Sequence, residues 1–321
     1  MQNVRTDLAI EMHEMLIEAA SEISGVSVKK ETQGDICISR IGIDTLKAQR
    51  QMGKPIGNYI TIEFQKVNIA EGEDYEALCK VVAKELRSLL NLKEKSNVLV
   101  VGLGNRNITP DALGPQVIRK LMVTRHLLEY IPEEIDEGIR PVCAISPGVL
   151  GTTGMETGEI VRGVTDKIKP DAVLVIDALA ARSIDRISTT VQICDTGISP
   201  GAGVGNKRKA LDKSTLGVPV IAIGVPTVID AATITADTLK MASDNEKAKG
   251  KDNYFGHLAS LDPDERYAVL KEALPEALSG FMVTPKEVDL FLERVSRVVA
   301  NGINLALHKN ITFSDIDAYT S

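Results

Sequence analysis

Apolar and polar positions divide the chain into an N-terminal part and a larger core. Apolar residues recur at helical spacing over residues 8–23, and residues 26–66 alternate as strands do, notably in DICISRIGI (35–43) and NYITIEF (58–64). A helix is predicted to follow at about 73–91. The pattern therefore predicts a first unit, residues 8–95, made of a helix and a small antiparallel β subdomain packed on the core.

The core unit, residues 96–321, has denser apolar runs than the first unit. Strands are predicted near 97–102, 141–146, 172–178, 189–195 and 218–224, and helices at 113–129, 263–279 and 285–308. Runs this rich in Val, Leu and Ile are typical of parallel strands buried on both faces. The predicted fold class is α/β: a doubly wound, mostly parallel sheet with helices on both faces, plus the N-terminal antiparallel subdomain.

Two details of the core are predicted from local residue chemistry. Thr284 and Pro285 are suited to the cap and first turn of the last helix, ahead of Glu287. Residues 240–257, within and just before MASDNEKAKGKDNYFGHL (241–258), are polar and almost without periodicity, so a loop with weak order is expected there.

Composition narrows the class of partner. Aromatic residues make up 3% of the 321 residues, tryptophan is absent and the formal net charge is −7. Stacking platforms and concentrated positive charge for nucleic acid are therefore not expected. No signal peptide and no stretch of about 18 apolar residues is apparent, which favours a cytoplasmic protein without membrane contact. Four scattered cysteines with no CxxC pair favour reduced thiols.

Two aspartates, Asp111 and Asp177, each follow or end a predicted buried strand. Ligands of open α/β sheets bind at the carboxyl ends of the strands, so both carboxylates are expected to reach one crevice. Asp111 also has a structural interpretation, because an acid in the first turn of a helix complements the helix dipole. Asp177 lies among apolar neighbours, where a carboxylate loses hydration unless it is paired or shares a proton.

A carboxylate pair of this kind can hydrolyse peptides. Two neighbouring carboxylates do not both ionise easily, so one stays protonated. The anion takes a proton from a water that attacks a peptide carbonyl, and the acid partner donates to the carbonyl oxygen. No histidine is suitably placed for a Ser-His or Cys-His enzyme and no HExxH occurs. Asp111 and Asp177 are therefore the predicted catalytic residues, with no cofactor and no metal.

Other motifs leave alternatives open. GLGNRN (102–107) follows a strand but has Asn107 in place of the third glycine of a dinucleotide fingerprint, so close backbone approach explains its glycines better. A nucleotide- or metal-dependent small-molecule enzyme remains the alternative function. SPGVLGTTGMETG (146–158) is either a substrate-lining or a plain connecting loop. Asp195, in DTGISPG, is a reserve candidate at a strand end.

Long ordered blocks over nearly the whole chain resemble one known family. They are VGLGNRNITPDALGP, SPGVLGTTGMETGEIV, KPDAVLVIDALAARSIDR, QICDTGISPGAGVGNKRK, GVPVIAIGVPTVIDA and MVTPKEVD. Together they resemble the spore germination proteases. The resemblance implies an endopeptidase of the spore core that degrades small acid-soluble spore proteins during germination and assembles as a homotetramer. A noncatalytic partner of spore proteins is the third functional hypothesis.

The resemblance also bears on the two aspartates. The family is similar in core fold to the hydrogenase maturation proteases, and the matching aspartates fall on Asp111 and Asp177. Ala112 stands where those proteases have a nickel-binding glutamate, which argues against a metal. Ser199 stands where members of the germination family carry histidine, which argues against a histidine-dependent mechanism.

The N-terminus resembles a processing site. The family is made as a zymogen that loses a short N-terminal segment, and VRTDLAIE (4–11) resembles the threonine-acid-hydrophobic-alanine pattern, ending in glutamate, that the family cuts. Residues 1–7 are therefore the predicted propeptide, with self-cleavage between Asp7 and Leu8. The alternative is that Thr6 or Asp7 only caps the first helix.

Overall fold

The computed structural model describes residues 6–18, 23–65, 69–201, 209–248, 256–261, 263–273 and 280–320. Within these ranges one mixed sheet has the strand order β1-β2-β3-β7-β8-β6-β4-β5, and β9 pairs with β8. The strands are β1 (Val26–Gln33), β2 (Ile36–Ile43), β3 (Gly57–Glu63), β4 (Val98–Gly102), β5 (Val142–Ile145), β6 (Ala172–Ala181), β7 (Thr190–Cys194), β8 (Val220–Asp230) and β9 (Met282–Val283).

Helices cover both faces of this sheet, so the predicted α/β class is confirmed. They are α1 (Ala9–Glu18), α2 (Leu46–Met52), α3 (Glu73–Leu89), α4 (Leu113–Ile118), α5 (Arg125–Tyr130), α6 (Leu150–Thr153), α7 (Thr157–Ile168), α8 (Lys213–Leu216), α9 (Ala231–Ala248), α10 (Gly256–Ser260), α11 (Pro263–Ala273), α12 (Val288–Leu307) and α13 (Phe313–Thr320). Among the described helices none is long and apolar enough to cross a membrane.

Three hydrophobic clusters hold the layers together. On one face α3, α4 and α12 form a continuous core with strands from β2 across to β4. On the other face α1 and α2 pack on β2, β3 and the ends of β6 and β8. A third cluster joins α7 and α8 to β4 and β6. The central strands β6 and β8 are buried almost throughout, as their unbroken apolar runs predict.

The direction of β7 differs from the prediction. Strands β4, β5, β6 and β8 are parallel, but β7 runs antiparallel to both β8 and β3. Placing residues 189–195 in the parallel core was therefore wrong. The connection from β6 to β7, residues 182–189, contains only one short 3-10 turn, and a parallel return needs a crossover of about a dozen residues or more. Through β7 the N-terminal strands join the same sheet.

The predicted helix over 113–129 is interrupted. Helix α4 ends at Ile118 and α5 begins at Arg125. Between them the Met122 backbone N–H donates to Asn304 Oδ1 (3.0 Å), and the Thr124 backbone N–H donates to the Val142 carbonyl (3.0 Å). These tertiary partners replace the hydrogen bonds that a continuous helix would have made.

The end of the chain departs from the prediction at two places. Helix α9 extends to Ala248, so a loop over all of 240–257 was wrong; 249–255 lie outside the described residues. Ala, Lys, Glu and Met favour helix even without an apolar stripe. Thr284 does not cap the last helix, because its hydroxyl donates to the Thr227 carbonyl (2.8 Å) and α12 begins at Val288. Helix α11 begins at Pro263, as the predicted helix over 263–279 does, and it is described to Ala273; residues 274–279 lie outside the described residues.

Candidate active site

The carboxyl ends of β4 and β6 open into a cavity of about 470 Å³, and both Asp111 and Asp177 line it. Strand β4 pairs with β6 in parallel, and the Leu103 N–H continues the ladder to the Ile176 carbonyl (2.8 Å). The strand ends therefore bring together two aspartates that are 66 positions apart in the sequence. The residues that line the cavity also include Asp7, Gly104, Val149, Thr157, Ser199, Thr227 and Thr284.

Asp177 is a carboxylate built into a buried strand. It is 7% exposed, and the apolar residues on either side of it, Val175, Ile176 and Leu179, are buried. Its Oδ1 accepts a hydrogen bond from the Ala178 N–H (3.0 Å), and it lies beside Gly224 of β8. Burial disfavours the charged form of a carboxyl group, whereas hydrogen bonds to the carboxylate favour it. The strand thus holds this side chain at the cavity wall.

Asp111 is positioned by a tightly held loop. It ends the 3-10 helix Thr109–Asp111, and its Oδ2 accepts a hydrogen bond from the Asn105 N–H (2.8 Å). The Thr227 hydroxyl of β8 donates to the Pro110 carbonyl (2.6 Å) and fixes the loop against the sheet. Thr227 was not predicted, although a polar residue inside the apolar run of β8 was a signal of the same kind as Asp177.

The glycines of GLGNRN allow close backbone approach, as predicted. Gly104 has φ +105°, and a Cβ there would lie 1.9 Å from the Asp111 carbonyl oxygen. A Cβ at Gly102 would lie 2.4 Å from the Gly114 carbonyl oxygen. The motif therefore lets the loop that carries Asp111 fold back over the end of β4.

The other predicted motifs separate into two groups. Val149 and Thr157 of the 146–158 loop line the cavity, and so does Ser199 of TGISPG. Asp195 does not line it: its two carboxylate oxygens accept hydrogen bonds from the Asn58 backbone N–H (2.8 Å) and from Asn58 Nδ2 (2.7 Å). The reserve candidate therefore joins the ends of β3 and β7.

Asp7, predicted as the residue before the cleaved bond, also lines the cavity. Its backbone N–H donates to the Ala180 carbonyl (2.9 Å), and its Oδ2 accepts from the Ala180 N–H (2.9 Å). The next residue, Leu8, is fully buried. Sequence patterns gave no sign that the N-terminal segment would lie beside β6, because this contact depends on the tertiary fold.

Groups that could supply other chemistry lie elsewhere. In the described part of the chain no three His, Cys, Asp or Glu side chains are grouped so that they could hold a metal ion. Burial lowers the pKa of His308 to about 4, and its Nδ1 accepts from the Arg140 N–H (3.2 Å), away from the cavity. Burial raises the pKa of the Cys194 thiol. The described cavity lining contains neither histidine nor cysteine.

Comparison with known proteins places this chain among the peptidases. The family model described as germination protease matches residues 5–243 and 240–320. Germination proteases of Clostridium tetani and Clostridium acetobutylicum are 52% and 49% identical to it over 320 and 329 residues. The first alignment covers 99% of each chain and the second 100%. That of Bacillus cereus is 43% identical over 357 residues, covering 99% of this chain and 97% of the relative. The chain belongs to the germination protease family.

Among solved structures, a NiFe hydrogenase maturation protease from Thermococcus kodakarensis covers 68% of this chain and 98% of its own. It is 16% identical, with a TM-score of 0.34. A likeness at that level supports no argument about function.

Proposed function

We propose that this chain is an endopeptidase that initiates the degradation of small acid-soluble spore proteins during germination, with Asp111 and Asp177 as its catalytic pair. The observation that carries the proposal is that both carboxylates line one cavity. Full-length membership in the germination protease family supports the choice of substrate.

The pair works by sharing one proton. The ionised carboxylate takes a proton from a water molecule, whose oxygen adds to the peptide carbonyl carbon. The protonated partner supplies a proton to the substrate, so no side chain forms a covalent bond to it. Asp177, buried in β6, and Asp111, held by the Asn105 N–H, are both fixed before substrate arrives. Fixed groups need little reorganisation in the transition state.

The proposal extends to processing and assembly. Residues 1–7 form a propeptide, and the chain cleaves its own Asp7–Leu8 bond; the place of Asp7 in the cavity lining supports this. The working enzyme is a homotetramer of the spore core that needs no cofactor. Light scattering of the purified protein measures the number of chains directly.

Asparagine substitutions test the catalytic pair. Asp111→Asn and Asp177→Asn should each lower the rate of spore-protein cleavage by at least about 1,000-fold, because neither amide can exchange the proton. Product peptides are measured by mass spectrometry, and circular dichroism checks the fold.

Asp195→Asn and Asp166→Asn, which change acids outside the cavity lining, should retain activity. Full activity in either Asp111→Asn or Asp177→Asn would refute the pair. Complex formation without any product from the unmodified chain would favour a noncatalytic partner.

A further inference from the structure

The carbonyl oxygen of Asp7 accepts hydrogen bonds from two side chains, Lys54 and Gln192. We propose that these two residues hold the Asp7–Leu8 bond for cleavage and stabilise the negative charge that develops on that oxygen. The inference rests on the proposed self-cleavage and adds to it two substrate-contacting residues outside the aspartate pair.

Lys54 approaches from the end of α2. Helix α2 ends at Met52, and the next residue, Gly53, has a left-handed conformation (φ 61°) that turns the chain toward the N-terminal segment. Lys54 Nζ lies 2.9 Å from the Asp7 carbonyl oxygen and 3.4 Å from the Thr6 carbonyl oxygen. An ammonium group binds an anionic oxygen more strongly than a neutral carbonyl oxygen. Its hydrogen bond to Asp7 will therefore strengthen as the carbonyl carbon becomes tetrahedral.

Gln192 approaches from β7. Its side chain is buried, its Nε2 donates to the Asp7 carbonyl (3.0 Å) and its Oε1 accepts from the Ala9 N–H (2.7 Å). A flipped amide would place its donor against the Ala9 N–H and its acceptor against the Asp7 carbonyl, so only the observed orientation satisfies both contacts. Gln192 thus holds the backbone on both sides of the Asp7–Leu8 bond.

The register of the sheet relates the position of Gln192 to that of Asp177. Gln192 of β7 and Asp177 of β6 are both paired with Gly224 of β8, which lies between them and carries no side chain. Residues paired directly across neighbouring strands project to the same face, and two strand spacings amount to about 10 Å. Gln192 and Asp177 therefore flank the same stretch of the sheet, with Asp7 above it.

Both lone pairs of the Asp7 carbonyl oxygen accept hydrogen bonds, from Lys54 and Gln192, so this oxygen is not the group that takes a proton from the acid partner. The water oxygen bonds to the carbonyl carbon while one carboxylate of the pair takes a proton from it, and the carbonyl electrons move onto the oxygen beside Lys54 and Gln192. The carbon–nitrogen bond then breaks, and the Leu8 nitrogen takes a proton from the acid partner. At this bond the acid therefore protonates the nitrogen rather than the carbonyl oxygen.

The competing explanation is that Lys54 and Gln192 only clamp the first turn of α1 in place. A clamp that restrains the segment would slow its approach to the aspartates. Removing it would leave self-cleavage unchanged or faster. The catalytic proposal predicts slower self-cleavage when either residue is replaced, so the direction of the change in rate distinguishes the two explanations.

The test follows release of residues 1–7 by intact-mass spectrometry of the full chain at mildly acidic pH. Lys54→Met and Gln192→Glu should each lower the first-order rate constant by about 100- to 1,000-fold, the range for losing one oxyanion donor. Gln192→Glu keeps the acceptor for the Ala9 N–H, removes the amide donor and places a carboxylate oxygen beside the Asp7 carbonyl oxygen. Lys54→Arg should recover the rate to within about tenfold, because a guanidinium also donates to an anionic oxygen. Lys47→Met, on the exposed face of α2, is the matched control.

Each outcome separates this inference from the proposed function. Unchanged or faster processing in Lys54→Met or Gln192→Glu, with Asp177→Asn inactive, overturns the role of these residues and leaves the aspartate pair standing. Failure of the unmodified chain to cut at Asp7–Leu8 while it cleaves spore protein also overturns it. Thermal unfolding monitors each variant, and recovery in Lys54→Arg excludes a folding defect as the cause of slow processing.

Discussion

At the scale of single residues, Gly104 controls where Asp111 can lie. A Cβ at this position would meet the Asp111 carbonyl oxygen at 1.9 Å, and the backbone has φ +105°. Real Cβ atoms do not approach an oxygen that closely, so any side chain must push the Asp111 loop away from β4. The loop also carries the Asn105 N–H that binds Asp111 Oδ2, and both ends of that hydrogen bond would move.

Gly104→Ala should therefore impair both stability and activity. We expect a loss of about 2 kcal/mol or more in the free energy of unfolding, from backbone strain plus the clash, and a large fall in cleavage rate. Urea unfolding and peptide-product analysis measure the two effects. Gly217→Ala is the control, because Gly217 also has positive φ (76°) but no atom lies within 4 Å of its added Cβ. It should cost about 1 kcal/mol and leave activity intact. Equal behaviour of the two variants would contradict the steric argument.

The sequence identifies some cavity residues better than others. Asp177 is conspicuous because a carboxylate interrupts an apolar strand, and Asp111 follows a strand and a glycine-rich turn. Both signals are local. Asp7 and Gln192 meet only because β7 runs antiparallel to β8 and α1 packs over the sheet. Contacts that depend on strand direction have no local pattern, so sequence periodicity could not reveal them.

At the scale of elements, Arg186 anchors helix α1 to the sheet. Its guanidinium contacts Glu14 of α1 (2.6 Å), Glu63 of β3 (2.8 Å) and Glu11 of α1 (3.6 Å). Glu11, which is 2% exposed, also accepts from the Arg182 N–H (2.7 Å) and the Ser183 N–H (2.9 Å). Burial by itself would raise the pKa of Glu14, but the hydrogen bond from Arg186 and the positive charges of Arg186, Lys30 and His13 outweigh it, so the pKa is lowered from its usual value.

Arg186→Ala should loosen α1 by leaving these carboxylates without their cation. Removing one partner of a buried ionic cluster costs about 3–5 kcal/mol, and the partial exposure of Glu14 and Glu63 favours the lower end. Urea unfolding measures the loss, and hydrogen exchange over residues 9–18 locates it. Arg162→Ala breaks an exposed pair with Asp166 on α7 and should cost at most about 0.5 kcal/mol. Unchanged exchange in α1 after Arg186→Ala would show that apolar packing alone holds the helix.

Secondary structure was predictable where one local pattern dominated. Strand β4 and the amphipathic α3 lie close to their predicted bounds, and β6 and β8 begin close to theirs, although these two strands continue past the predicted ends to Ala181 and Asp230. The break between α4 and α5 was not, because it depends on Asn304 of a distant helix. The direction of β7 was also missed, although the short connection before it contained the necessary information. The helix break therefore depends on a tertiary hydrogen bond and the strand direction on the length of a connection, and hydrophobic periodicity reports neither.

At the scale of the whole molecule, residues 8–95 and residues 96–321 contribute strands to one continuous sheet. Strand β3 pairs with β7 from Tyr59 to Glu63, so the N-terminal strands extend the sheet of the core. Helix α3 shares one hydrophobic cluster with α12, and both cover the same face of the sheet. The two units are joined by hydrogen bonds and by buried apolar surface.

This continuity predicts that residues 8–95 do not fold alone. Without β7 and α12, β3 becomes an open edge and the apolar face of α3, including Leu78, Val82 and Leu86, is exposed to water. The isolated segment should therefore show no cooperative thermal transition by circular dichroism.

The full chain should unfold in a single step, with the secondary-structure signal and the tyrosine signal coinciding. Tyr59 and Tyr75 lie in the first unit and Tyr267 in the second, so the tyrosine signal reports on both. Two separate transitions, or a cooperative melt of the isolated segment, would establish that the first unit is an independent domain.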